Sequence, residues 1–169
     1  MDFVKAKEVL NAIEKLDPNS AATVLEALKI AEHIEASSGE FYKKEAEKTK
    51  GTELESFFLF LEKEEKMHLA KIKELEGLLK QGTMSEVKFP KSAPANTHVT
   101  SVAQGEMTAI LYGLWREKKA VEFYSEAGKK TTGSVKHFFE ELAEFERGHV
   151  ELFEHLVEGM QNVDELIMG

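Results

Sequence analysis

Two segments of the chain place a carboxylate and an imidazole three residues apart, Glu65-Lys66-Met67-His68 and Glu146-Arg147-Gly148-His149. On a helix, residues i and i+3 share a face, so each segment can offer one oxygen and one nitrogen ligand to the same metal ion. About one such match is expected by chance in a chain this rich in glutamate. What gives the two their weight is register. The apolar ladder Leu54, Phe58, Leu61, Ile72, Leu75, Leu79 is interrupted only by Glu65 and His68, and the ladder Val135, Phe139, Leu142, Phe153, Leu156 only by Glu146 and His149. Two further stripes, Leu28-Ala31-Glu35-Ser38-Tyr42 and Ile110-Leu114-Glu117-Val121-Tyr124, each carry one carboxylate on the inward face.

These four stripes are two copies of one pattern. Residues 34–51 align with 116–133 at an offset of 82, which sets Glu35 on Glu117, Glu40-Phe41-Tyr42 on Glu122-Phe123-Tyr124 and Gly51 on Gly133. After one deleted residue the offset becomes 81, and 57–68 align with 138–149, bringing Glu65 onto Glu146 and His68 onto His149. A period this long is no solenoid; it indicates two related helical hairpins in one pseudo-twofold bundle.

Counted from the turns, Glu35 lies 16 residues before Gly51 and Glu65 14 after it, while Glu117 lies 16 before Gly133 and Glu146 13 after it. At 1.5 Å per residue all four carboxylates stand at one level, roughly 20 Å from the turns. Four buried carboxylates at one level repel one another and cost several kcal/mol each in lost solvation. Two divalent cations remove the conflict by balancing four negative charges, with one neutral imidazole completing each shell.

Composition agrees with a cation as the guest. The net charge of -9 over 169 residues disfavours a nucleic-acid groove or an anionic membrane surface. The absence of cysteine excludes disulfides, iron–sulfur clusters and thiolate-bound zinc, leaving Glu, Asp and His as ligands. The longest apolar run, 57–61, is far short of a membrane span, and the first ten residues lack the apolar core of a signal peptide, so a cytoplasmic protein is expected.

The elements that must position these residues are all helices, because Glu, Lys, Leu and Ala dominate at three-and-four spacing and only three prolines occur. Helices are expected over 3–16, 21–49, 53–80, 101–130 and 134–158, with Asn19 or Ser20 capping the second and tight turns at Gly51 and Gly133. The domain reading is an N-terminal helix and linker at 1–20, a four-helix bundle at 21–158, and a tail at 159–169. Residues 82–100 hold two prolines and read as a connection. Extended, they reach up to about 65 Å, enough to cross helices roughly 42 Å long, which permits a ferritin-like four-helix bundle with a long crossover between its second and third helices.

With Glu-x6-Tyr twice and Glu-x-x-His twice, residues 21–158 resemble the rubrerythrin-like branch of the ferritin-like superfamily of di-iron carboxylate proteins. The resemblance implies that Glu35, Glu65, His68, Glu117, Glu146 and His149 ligate two iron ions, with Glu65 and Glu146 bridging. It favours Tyr42 and Tyr124 as hydrogen-bond donors to ligands rather than plain core residues. It implies reaction of the iron pair with peroxide or dioxygen, as in peroxidases that protect cells from oxidative stress. Iron and manganese both accept such a ligand set.

Two features depart from that family. Ala120 stands where an extra carboxylate is common, removing the group expected for redox-linked ligand exchange. The cysteine-ligated rubredoxin-type iron centre is missing, so electrons must come from an external donor such as a rubredoxin. Lys66 occupies the position of the methionine that binds haem in bacterioferritin-like relatives, so no haem is expected. Other readings are a ferroxidase or iron-storage protein and a non-catalytic metal-binding bundle. Glu32, Glu62 and Glu64 read as solvated neighbours of the site, and His33, His98, His137 and His155 as surface or packing residues. Phe57, Phe58, Phe60, Phe138, Phe139, Phe145 and Trp115 read as core or dimer-face aromatics, numerous enough to predict a homodimer.

Overall fold

The computed structural model describes residues 6–83, 85–91, 99–100 and 102–168. The expected start of the first helix at 3–5 and His98, expected as a surface or packing residue, lie outside them. Among the described residues five helices follow in order: α1 Ala6–Lys15, α2 Ala21–Lys48, α3 Glu53–Lys80, α4 Gln104–Lys130 and α5 Gly133–Met168. Among the described residues none of these helices is long and apolar enough to cross a membrane.

The two hairpins, α2–α3 and α4–α5, close through Gly51 at φ 83° and Gly133 at φ 59°, a left-handed conformation that costs glycine little and other residues more. Ser20 stands at the N-cap of α2, yet no side-chain cap bond forms there. The linker is tied instead by Asp17 N–H donating to Thr23 Oγ1 at 3.0 Å and Asn19 N–H donating to Asp17 Oδ1 at 2.9 Å. Helix α4 begins at 104 rather than 101, its first turn closed by Ala103 N–H donating to Glu106 Oε2 at 2.7 Å. Helix α5 continues past the expected end at 158 to Met168, because no proline follows and Gly159 lacks a left-handed φ.

The core falls into two apolar halves. One gathers Leu28, Ala31, Ile72, Leu75, Val135, Phe138, Phe139 and Leu142 near the α4–α5 turn. The other gathers Tyr42, Leu54, Phe57, Phe58, Leu61, Ile110 and Phe153 near the α2–α3 turn. The turns therefore lie at opposite ends of the bundle, and the connection from α3 to α4 must run its full length. Val87 and Phe89 pack into the first half and Val99 and Val102 into the second, as a full-length crossover requires. Its far end is pinned by Thr100 Oγ1 donating to Glu53 Oε2 at 2.9 Å. Helix α1 lies against α2 and α4, held by buried Leu16 and by Lys130 Nζ donating to Ile13 O at 2.7 Å.

Candidate metal centre

Between the two apolar halves runs one polar layer. Helix α2 contributes Glu35, α3 Glu65 and His68, α4 Glu117, and α5 Glu146 and His149, all buried. Each hairpin carries its carboxylates mid-helix, so antiparallel packing with the turns at opposite ends superposes them at the bundle centre.

The six residues form two overlapping groups. One ligand atom from each of Glu35, Glu65, His68 and Glu146 lies within 4.8 Å of the others, and the same holds for Glu65, Glu117, Glu146 and His149. Glu65 and Glu146 belong to both. Glu146 turns Oε1 to within 3.0 Å of His68 Nδ1 and Oε2 to within 3.3 Å of His149 Nδ1, one oxygen toward each group. His68 Nδ1 is also 3.2 Å from Glu35 Oε2, and His149 Nδ1 is 3.3 Å from Glu65 Oε1 and 3.5 Å from Glu117 Oε2. Both imidazoles thus face the centre through Nδ1, with their rings stacked 5.6 Å apart.

The polar atoms of this layer do not satisfy one another. Glu65 Oε1, His68 Nε2, both Glu146 oxygens and His149 Nδ1 are buried without a hydrogen-bond partner. Each such atom costs about 1–3 kcal/mol if left unmet. The unmet atoms are mostly those converging between the helices, and oxygen with imidazole nitrogen is a donor set that a divalent first-row cation accepts, so the residues fit a metal pair.

Without a cation the layer shares protons unevenly. Burial, then the charges of Glu65 and Glu146, push the Glu35 carboxyl well above its ordinary range. Burial, then Glu146, does the same to Glu117. Burial would also raise Glu146, but the neighbouring Glu117 carboxyl and the His149 and His68 imidazoles outweigh it and hold that carboxylate well below. Burial opposes charge on His149, yet Glu117, Glu146 and Glu65 around it raise its imidazole well above the usual value. In the metal-free layer protons are therefore favoured on Glu35, Glu117 and His149 over Glu146.

The two tyrosines cross the pseudo-twofold axis. Tyr42 of the first hairpin donates to Glu117 Oε1 of the second, and Tyr124 of the second donates to Glu35 Oε1 of the first. Burial, then the charges of Glu35 and Glu146, push the Tyr124 phenol well up, so it remains a donor. Sequence spacing places each tyrosine seven residues after a carboxylate of its own helix; only the fold pairs it with the other hairpin's.

The neighbours differ from expectation in part. Glu62 and Glu64, read as solvated, are buried at 9% and 7% exposure. Glu62 is nonetheless paired to Lys66 at 2.6 Å, and neither residue joins the metal groups. Glu32 is half-buried and faces Glu76; burial, then that contact, raises its carboxyl. His33, His137 and His155 are exposed, and Phe57, Phe58, Phe138 and Phe139 are core. Phe145 and Phe60 are half-buried beside the centre, 5.2 Å from the His68 ring and 6.5 Å from the His149 ring, while Trp115 is at the surface.

Two residues near the layer were not singled out by the sequence reading. Arg116 is buried and donates through Nη2 to Ser37 Oγ at 2.7 Å and Ser38 Oγ at 3.1 Å, tying α4 to α2 one position from Glu117. The repeat held the signal, since the offset of 82 maps Arg116 onto Ile34, a core position. Phe89 of the crossover lies 6.3 Å from the His68 ring and 5.3 Å from Phe145, covering that side of the layer; nothing in helical periodicity could have indicated it.

Comparison with known proteins found no match among curated proteins or solved structures. The family model for rubrerythrin matches residues 26–157, a span that contains all six residues of the polar layer and both tyrosines. With a crossover bundle, a duplicated Glu and Glu-x-x-His pattern and that match over most of its length, the chain belongs to the rubrerythrin family.

Proposed function

We propose that this chain is a di-iron carboxylate protein that reduces peroxide, with residues 21–158 as its working unit and Glu35, Glu65, His68, Glu117, Glu146 and His149 as the ligands. The observation that carries this reading is the sharing of Glu65 and Glu146 between two four-residue groups, as bridging carboxylates require. When bound, an iron pair supplies two electrons, enough to take hydrogen peroxide and two protons to two waters.

The chain's own residues do the rest. Glu65 and Glu146 span the two positions, Glu35 and His68 complete one, and Glu117 and His149 complete the other. Tyr42 and Tyr124 hold the outer carboxylates in place by donating to them. Phe58, Leu61, Phe139 and Leu142 close the layer above and below and exclude water, which strengthens every charge interaction inside. Without cysteine, no thiol pair or sulfur-ligated iron centre in the chain can return electrons, so the reading includes an external donor such as a rubredoxin.

A cytoplasmic homodimer belongs to the same reading; the exposed side chains of Leu59 and Leu111 supply apolar surface for association, which analytical ultracentrifugation tests. The test of function is stopped-flow oxidation of the Fe(II)-loaded protein by hydrogen peroxide and by dioxygen, with iron content measured beside manganese. Faster oxidation by peroxide, with sustained turnover only when reduced rubredoxin is added, is the expected result. The ferroxidase reading is favoured by one observation, buried Ala120 where a further carboxylate is common in the family, which leaves a symmetric six-residue set. Faster reaction with dioxygen followed by growth of a ferric mineral would establish it instead.

A further inference from the structure

A chain of rings runs from the surface to the metal layer. Trp115, the single tryptophan, stacks on Tyr112 with centroids 5.5 Å apart and planes at 15°. Tyr112 meets the edge of Phe41 at 5.2 Å, and Phe41 meets Tyr42 at 5.3 Å. Tyr42 in turn donates its hydroxyl to Glu117. Trp115 and Tyr112 are 43% and 41% exposed, whereas Tyr42 is fully buried, so the chain spans the whole wall of the bundle.

The duplicated scaffold shows that the fold does not require the outer rings. At the offset of 82, Phe41 and Tyr42 are repeated as Phe123 and Tyr124, but Tyr112 and Trp115 correspond to Ile30 and His33. Only one half of a symmetric molecule carries an indole and a phenol at its surface above the inner pair. Indole and phenol are the side chains that most readily give up one electron, and rings in contact at this spacing are electronically coupled. Arg116 lies beside the two middle rings, 5.4 Å from Phe41 and 5.7 Å from Tyr112. Its positive charge raises the cost of removing an electron from Phe41 and Tyr112, which favours tunnelling across these rings over a radical resting on them.

We propose that Trp115, Tyr112, Phe41 and Tyr42 form an electron relay between the protein surface and the metal pair, and that a one-electron donor delivers its electrons at the Trp115–Tyr112 face of α4. The relay rests on the di-iron reading. One donor molecule is oxidised by one electron, which reduces one ferric ion to ferrous; a second passage restores the diferrous pair. No bond in the relay forms or breaks, and the tyrosine protons stay where they are.

The test begins with Fe(II)-loaded protein oxidised by one equivalent of peroxide and then mixed anaerobically with reduced methyl viologen. The readout is the reduction phase relative to the preceding oxidation phase. Trp115→Leu and Phe41→Leu slow reduction several-fold, whereas Phe123→Leu, the symmetry-related change, does not. A second readout uses excess peroxide without donor, followed by peptide mass spectrometry. Two electrons drawn inward from Trp115 through the relay, with no donor to replace them, leave its indole carrying one oxygen taken from water, while one hydrogen peroxide and the two protons released become two waters. That mark is expected in the iron-loaded wild type and is lost in the metal-free protein and in Phe41→Leu. Reduction of Trp115→Leu at the wild-type rate, or equal marking of Trp115 without iron, overturns the relay. Failure of the wild type to be oxidised by peroxide at all overturns the di-iron reading, and the relay with it.

Discussion

Glu146→Gln tests the centre most sharply, because it keeps the side chain's size and removes one charge from a residue that faces both groups. Four carboxylates and two divalent ions make a neutral layer; with glutamine one positive charge stands uncompensated in a buried site. A unit charge pair about 4 Å apart at an effective dielectric of about 20 is worth about 4 kcal/mol. Since Glu146 lies in both groups, with Oε1 at 3.0 Å from His68 and Oε2 at 3.3 Å from His149, that loss falls on each ion. At 1.4 kcal/mol per tenfold, affinity drops by about a thousandfold for each.

Glu35→Gln should behave differently. Glu35 lies in one group only, and its carboxyl is held well above the ordinary range by burial, so a metal must first displace its proton there. Its substitution weakens one ion and leaves the other near wild-type affinity. Glu62→Ala, which loses only a pair with exposed Lys66, keeps both ions. Calorimetric titration with Mn(II), which avoids oxidation, followed by metal analysis after gel filtration, measures all three. Two ions retained at wild-type affinity in Glu146→Gln, or equal loss of both ions in Glu35→Gln, would refute the bridging assignment.

Three other outcomes are expected. In the metal-free protein, Glu35, Glu117 and His149 are raised, so their stabilising protonation is present at low pH and lost as pH climbs through those raised values, whereas depressed Glu146 contributes in the opposite sense. With more groups raised than lowered, thermal melts should show the metal-free form more stable near pH 5 than near pH 8, the metal-loaded form higher than either, and metal binding releasing protons. Tyr42→Phe and Tyr124→Phe each remove a hydrogen bond to a carboxylate, worth about 1.5–3 kcal/mol, and calorimetry should find the weakened ion in the group that contains Glu117 for the first and Glu35 for the second. Gly113→Ala would set a Cβ 2.5 Å from the buried ring of Phe153, so overpacking of about 1–3 kcal/mol should lower the melting temperature without changing metal stoichiometry.

How much of this could be read from the chain follows from which interactions are local. The helices, their turns at Gly51 and Gly133, and the common height of the four carboxylates are periodic or countable, because helical rise and left-handed turn chemistry are properties of short segments. The duplication even marked Arg116 as buried, through Ile34, although its bonds to Ser37 and Ser38 needed α2 and α4 side by side. The crossed pairing of Tyr42 with Glu117 and Tyr124 with Glu35, the inward turn of both Nδ1 atoms, and Phe89 lying over His68 all join residues far apart in the chain. Periodicity says which face of a helix is inside, but not which partner meets it there. The burial of Glu62 and Glu64 was misread for the same reason: their charge argued for water, and only packing around their face decided otherwise.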